Sequence, residues 1–164
     1  MKQFAQAEID WMRSFFTQKE CSEVQVSLGG REFSYFVVPI SIIPEPTQKK
    51  LQEKLPDFVM RLTGEGEGYV LGISDSVREE FRPYAVLHEY IEFMEIGIDT
   101  PGRCLQALEE ELMLVPEGIK DEYLQMRKGF FGRLIDYCSG EADYTPQDIE
   151  EMRHSHSRLE ELTR

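Results

Sequence analysis

Apolar residues change their spacing several times along this chain, and each change marks an element. From Lys2 to Lys19, the residues Phe4, Trp11, Met12, Phe15 and Phe16 recur at helical intervals, which predicts an amphipathic helix. From Cys21 to Leu28 the period drops to two. Val24, Val26 and Leu28 fall on one side and Glu23, Gln25 and Ser27 on the other. Gly29-Gly30 tolerates positive φ, and Arg31 to Ile40 is rich in aromatic and β-branched residues, so the two runs predict a β-hairpin. Tyr35-Phe36-Val37-Val38 is nearly all apolar, as a strand covered on both faces requires. Pro39, Pro44 and Pro46 then end the pairing by removing ladder donors.

Thr47 to Leu62 places Leu51, Leu55, Phe58, Val59 and Leu62 on one helical face, with a kink or break near Pro56. Gly64, Gly66 and Gly68 form a flexible loop, and Tyr69 to Ile73 follows as a short strand. Ser76 and Glu79 have capping-box spacing, but Pro83 interrupts any clean continuation. One loose turn therefore precedes a helix that starts near Pro83 and ends at Ile96, where Gly97 terminates it. Thr100-Pro101 and Thr145-Pro146 each read as an N-cap with proline at the first helical position. They open helices over Pro101 to Val115 and Pro146 to Leu162, and Ile119 to Cys138 fills the interval with a third. The pattern predicts a single α+β domain, a small antiparallel or mixed sheet followed by a mostly helical C-terminal half.

Charge removes several function classes. Lys and Arg number 18 against 31 Asp and Glu, a formal net charge of -13. Nucleic acid and anionic membranes both require a cationic surface, so neither is an expected partner. The acidic residues are spread along the chain rather than gathered in rows, which argues against a mimic of nucleic acid. No apolar run approaches a membrane span, and the first residues lack the apolar core of a signal peptide. Cys21, Cys104 and Cys138 are widely spaced with no CxxC, a pattern of reduced thiols in a cytoplasmic protein.

Candidate chemistry gathers in AVLHEYIEFMEIG, Ala85 to Gly97. At about 100° per residue, His88, Glu92 and Glu95 share one stripe, with Glu89 at its edge and the apolar residues on the other side. An imidazole and a carboxylate at i and i+4 can hold one divalent cation, and the intervening Glu89 is placed as a general base toward water. A row of glutamates is also what a solvated helix face looks like. On the next helix, Glu111 falls inside the apolar arc, one heptad on from Cys104 and flanked by Leu108 and Val115. A carboxylate aimed at a core costs several kcal/mol unless it is paired, protonated or bound to a cation. Its plainer reading is a boundary residue that snorkels out or pairs with Arg103 or Lys120.

Other arrangements do not fit. Ala85 stands where a ferritin-like di-iron helix needs Glu, so that site is rejected. His154 and His156 lie on different sides of a helix and read as surface residues. The glutamates within GEGEG would repel a phosphate. Cys21 and Cys138 have no motif beside them.

The stretch from Tyr69 to Pro116 resembles a zincin metallopeptidase core, in particular the ImmA/IrrE-type and minimal gluzincin proteins. His88-Glu89-Tyr90-Ile91-Glu92 stands where HExxH would be, and Cys104 to Pro116 is similar to the second-helix run A-x-x-F-A-x-E-L-x-x-P. The resemblance covers under a third of the chain. It implies hydrolysis of peptide or amide bonds, with Glu89 as general base and a divalent metal, zinc in the first instance, on His88 and Glu92. It also implies that Tyr69 to Ile73 is an edge strand along which a peptide or protein substrate lies. Two positions depart from the pattern: Glu92 replaces the second histidine, and the acidic third ligand would fall on Cys104. The third ligand is then Cys104 as thiolate, or Glu111, or the site has no metal. Zinc accepts all these donors, whereas two carboxylates shift preference toward harder ions. The other reading is a non-catalytic interaction domain on the same scaffold, binding partners in an apolar groove beside Tyr69 to Ile73.

Overall fold

The computed structural model describes residues 1–164. Alternation makes strands β1 (Ser22–Leu28) and β2 (Arg31–Val38), which pair antiparallel with Val24 opposite Tyr35 and Val26 opposite Phe33. Gly29 and Gly30 turn the hairpin at φ 58° and 77°, the region a two-residue turn demands. β3 (Val59–Thr63) pairs antiparallel with β4 (Tyr69–Ser74), and β4 lies parallel to β2, with Phe36 opposite Gly72. The result is a four-stranded mixed sheet in the order β1-β2-β4-β3.

Successive side chains on the inner strands feed opposite layers, because strand side chains alternate. Phe36, Val38 and Val70 face Ile9 and Phe16 of helix α1 (Gln6–Gln18) and Leu51 of helix α2 (Thr47–Lys54). A Cβ at Gly72 would stand 3.1 Å from Val38 Cγ2 and 3.7 Å from the Phe16 ring, so the absent side chain lets α1 sit directly on β4. On the other face, Phe33, Tyr35, Leu71 and Ile73 meet a helical layer. Its members are α3 (Arg82–Tyr90), α4 (Arg103–Leu114), α5 (Glu117–Cys138) and α6 (Pro146–Leu162). α3 packs on α4, and α6 packs on both α4 and α5. The α+β class and the helical C-terminal half are as expected.

Three local expectations are corrected. Thr47 to Leu62 is not one kinked helix: α2 stops at Lys54, Leu55 leaves helical geometry at φ -149°, and the remainder becomes β3. Proline at 56 excludes its neighbour from the helical region, and the apolar residues beyond it reach the core equally well from a strand. Tyr69 to Ile73 is not an edge strand: β3 pairs along its whole length, and β2 pairs with β4 on the other side at Gly72 to Ser74. The edges of the sheet are β1 and β3. Thr100-Pro101 does not cap α4. Gly102 precedes that helix, and the carboxylate of Glu151, arriving from α6, accepts from the backbone N–H groups of Gly102 and Cys104 at 2.9 and 3.2 Å. As expected, one loose turn, a 3-10 turn over Glu79–Phe81, leads into α3, while the Ser76 hydroxyl donates to the Pro56 carbonyl. Thr145 does cap α6, with its hydroxyl accepting from Asp148 N–H while the Asp148 carboxylate accepts from Thr145 N–H. No helix is long and apolar enough to cross a membrane.

Candidate metal centre

His88 lies on the buried side of α3 with Ala85, Val86 and Leu87, 2% exposed. Just after it the helix widens into a π-helical turn, Ile91–Ile96, in which Gly97 N–H reaches the carbonyl of Glu92 at 2.8 Å. Such turns re-aim side chains and recur at functional sites. Glu92, at the start of this turn, is 3% exposed, and its Oε1 stands 3.1 Å from His88 Nε2. Cys104 enters from the first turn of α4, with Sγ 3.6 Å from the same nitrogen. His88, Glu92 and Cys104 each offer one ligand atom, and these atoms all lie within 4.8 Å of one another.

The other ring nitrogen faces Glu111, whose Oε1 is 2.8 Å from His88 Nδ1. Glu111 does point into the core, as its place in the apolar arc of α4 implies, and is fully buried. Its partners are neither Arg103 nor Lys120. Arg127 of α5 grips both oxygens, Nε to Oε2 at 2.7 Å and Nη2 to Oε1 at 3.1 Å, and the Tyr123 hydroxyl donates to Oε2. Glu111 as a metal ligand is therefore corrected: it sits on the Nδ1 side with its oxygens already engaged. It fixes the ring and its tautomer instead.

Arg103, the residue before Cys104, is also buried. It donates Nε to Glu92 Oε2 at 3.0 Å and Nη2 to Asp148 Oδ1 at 3.0 Å. Ser155 Oγ donates to Cys104 Sγ at 3.1 Å. Each of the three grouped residues thus has its own outer partner: Glu111 for His88, Arg103 for Glu92 and Ser155 for Cys104. Glu95, the outer member of the stripe, is spent on a surface pair with Arg31 at 2.6 Å.

Proton placement decides what the cluster needs. With Nδ1–H donating to Glu111, a neutral imidazole would present its Nε2 lone pair to a carboxylate oxygen 3.1 Å away. Two acceptors face each other only with a proton or a cation between them. Without a metal, the proton takes that place. Burial lowers the pKa of His88, but Cys104, Glu111 and Glu92 overturn that and hold it well above 6.5. Burial and the Glu92 charge raise Cys104, so it is a thiol. Burial also opposes ionisation of Glu111, and Arg127 with His88 more than compensates, keeping its pKa low.

The donor spacing also suits a cation. Around a tetrahedral zinc, ordinary bond lengths put nitrogen and sulfur about 3.6 Å apart and nitrogen and oxygen about 3.3 Å apart. The separations here are 3.6 and 3.1 Å. Comparison with family models, with curated proteins and with solved structures finds no match. The functional reading therefore stands on this geometry and its chemistry.

Beside the three donors is a cavity of about 80 Å³, lined also by Glu89, Arg61, Phe93 and Tyr144. Glu89 is half-buried, and burial first, then the Glu92 charge, push its pKa up to about 7. His154 is exposed, and His156 makes an i,i+4 pair with Glu160 at 3.4 Å, so the HSH residues lie apart from the centre. Burial raises both other thiols, Cys138 to about 11. Sequence reasoning missed Arg127, Tyr123 and Ser155, and offered Arg103 to Glu111 where its carboxylate partner in the centre is Glu92. Arg127 had a readable signal: it recurs with Tyr123 and Phe131 at steps of four, an arginine within an apolar stripe.

Proposed function

We propose that this domain is a metal-dependent hydrolase of amide-type bonds whose cation sits on His88 Nε2, Glu92 and Cys104. The carrying observation is the fixed imidazole, Nδ1 held by Glu111 and Nε2 aimed at a carboxylate and a thiol at metal-ligand spacing. One carboxylate, one thiolate and one imidazole in this mixture suit zinc best. A bound zinc supplies Lewis acidity at one end of the cavity. Glu89, on the cavity wall, takes the proton from the attacking water, and a carboxyl with a pKa of about 7 is matched to that task at neutral pH. The small cavity and the interior position of β4 favour a small substrate over an extended polypeptide. The reading keeps the zincin-like arrangement, a helix-borne site completed from the next helix, with Glu92 in place of the second histidine.

One observation favours a non-catalytic domain. Arg103 and Arg127 already neutralise Glu92 and Glu111, so with His88 as imidazolium the centre is complete without an ion. Against it, β3 covers one side of Tyr69–Ile73 and β2 covers Gly72 and Ile73 on the other, which leaves little of the strand for a partner. Metal analysis separates the readings. The purified protein, exchanged against zinc and desalted, is expected to keep one ion per chain, and the His88→Ala/Glu92→Ala variant almost none. Glu89→Gln should keep the ion and lose at least about 100-fold of any turnover on small chromogenic amides and esters. Equally low zinc in wild type and double variant would leave the ion-pair centre as the answer.

A further inference from the structure

Arg61 is a cation on the cavity wall that makes no direct ion pair, although Glu89 and Glu92 of the same cavity act on it at longer range. It projects from β3, and its partners are all neutral. Nη1 donates to Thr63 Oγ1 at 2.7 Å and to the Lys2 carbonyl at 3.3 Å. Nη2 reaches the Lys2 carbonyl at 3.3 Å and Met1 Sδ at 3.4 Å. The guanidinium lies 4.1 Å over the Phe93 ring, and its Nε makes no hydrogen bond within the protein. Two of its three contacts to oxygen are long, at 3.3 Å, whereas a guanidinium on a carboxylate sits at about 2.7–2.9 Å.

The buried arginines of the centre behave differently. Arg103 holds Glu92 and Asp148, and Arg127 holds Glu111. Removing a cation from water costs several kcal/mol unless an anion replaces the lost hydration. Glu89 and Glu92 share the cavity with Arg61, yet neither carboxylate touches the guanidinium, so its hydrogen-bonding face toward the cavity is left open. Phe93, Phe130 and Leu134 give the same cavity an apolar side. Its volume of about 80 Å³ admits a group of a few heavy atoms rather than a peptide.

We infer that Arg61 makes this cavity a subsite for a small carboxylate, the anion on the guanidinium and a short apolar chain against Phe93, Phe130 and Leu134. The inference rests on the proposed hydrolase only in naming its substrate class, small amides that carry a carboxylate. The subsite itself needs no metal. Glu89 and the metal donors border it, so the ligand's reacting bond would face them while its anion is held by Arg61.

The test uses chelator-treated, metal-free protein titrated with propionate and, separately, with its neutral counterpart propionamide. Binding is followed on the arginine Nε–Hε resonances at constant ionic strength. Propionate is expected to shift one such resonance saturably, with at least about ten-fold higher affinity than propionamide. That resonance should vanish in Arg61→Lys, whose propionate affinity should fall by about ten-fold through loss of the planar fork. Equal response to the two ligands, no saturation, or full affinity in Arg61→Lys would overturn the inference. The wild-type comparison is decisive even where the variant does not fold. Carboxylate binding here, together with no zinc retained after exchange against zinc and desalting, would sink the hydrolase reading alone. Retained zinc without discrimination between the two ligands would sink this one alone.

Discussion

Arg127→Met is expected to lower the stability of the metal-free domain by about 3–5 kcal/mol. The change keeps much of the side-chain volume and removes the only permanent positive charge on Glu111, a carboxylate with no exposure to water. His88 and Tyr123 still donate to that carboxylate, which sets the loss nearer the lower end of the range. In urea the midpoint should fall with little change in slope, since the surface exposed on unfolding is nearly the same. Pairing the change with Glu111→Leu removes the orphaned charge, so the double variant should be more stable than Arg127→Met alone. Glu111 adds an acid-side signature. Its folded pKa is below 4.5, so its contribution is present above that value and is lost as pH falls through the folded pKa. Arg127→Met should flatten that limb. A loss below about 1 kcal/mol would mean that Glu111 is neutral in the fold.

The same residues show what the sequence could and could not convey. The hairpin was legible because Gly29-Gly30 and a period of two are local signals, and so was the Thr145 cap. Glu111 was legible as an inward charge because its direction follows from the apolar arc of its own helix. Its partner was not, since Arg127 lies 16 residues away on a helix whose placement depends on the whole core. Reading arginine as a solvated residue hid Arg127 and Arg61 alike. The break at Pro56 was legible, but the segment beyond it was misread because Leu55, Phe58 and Leu62 keep helical intervals of three and four across it, which masks the strand at Val59–Thr63. Strand order left no local mark, so Tyr69 to Ile73 could be read as a strand but not placed inside the sheet. The i,i+4 pair of His88 and Glu92 identified where the donors lie. Whether Glu111 ligates or orients turned on which ring nitrogen it faces, a matter of tertiary packing.

Zinc should stabilise the domain and expel two protons for each ion bound. In the metal-free centre His88 is an imidazolium and Cys104 a thiol, since neighbouring groups hold the first pKa far up and burial raises the second. A cation on these residues requires the Nε2 lone pair and the thiolate, so both protons leave as two positive charges arrive. The net charge of the centre does not change, and the arginines that clamp Glu92 and Glu111 need not move. Affinity should therefore rise about 100-fold per pH unit while both groups remain protonated in the metal-free protein. Free zinc at about 1,000 times its dissociation constant should add about 4 kcal/mol of stability. The background runs the other way. With a folded pKa raised above 6.5, His88 contributes stability that is full below 6.5 and lost as pH rises through the folded value. Glu89 behaves alike, its contribution declining between 4.5 and about 7. Stabilisation by zinc should thus grow with pH where the metal-free protein weakens. Calorimetry in buffers of different ionisation enthalpy counts the protons directly, and Cys104→Ser should reduce the count from two to one. Zinc binding that releases no proton and keeps one affinity from pH 6 to 8 would place the ion on surface carboxylates, away from His88.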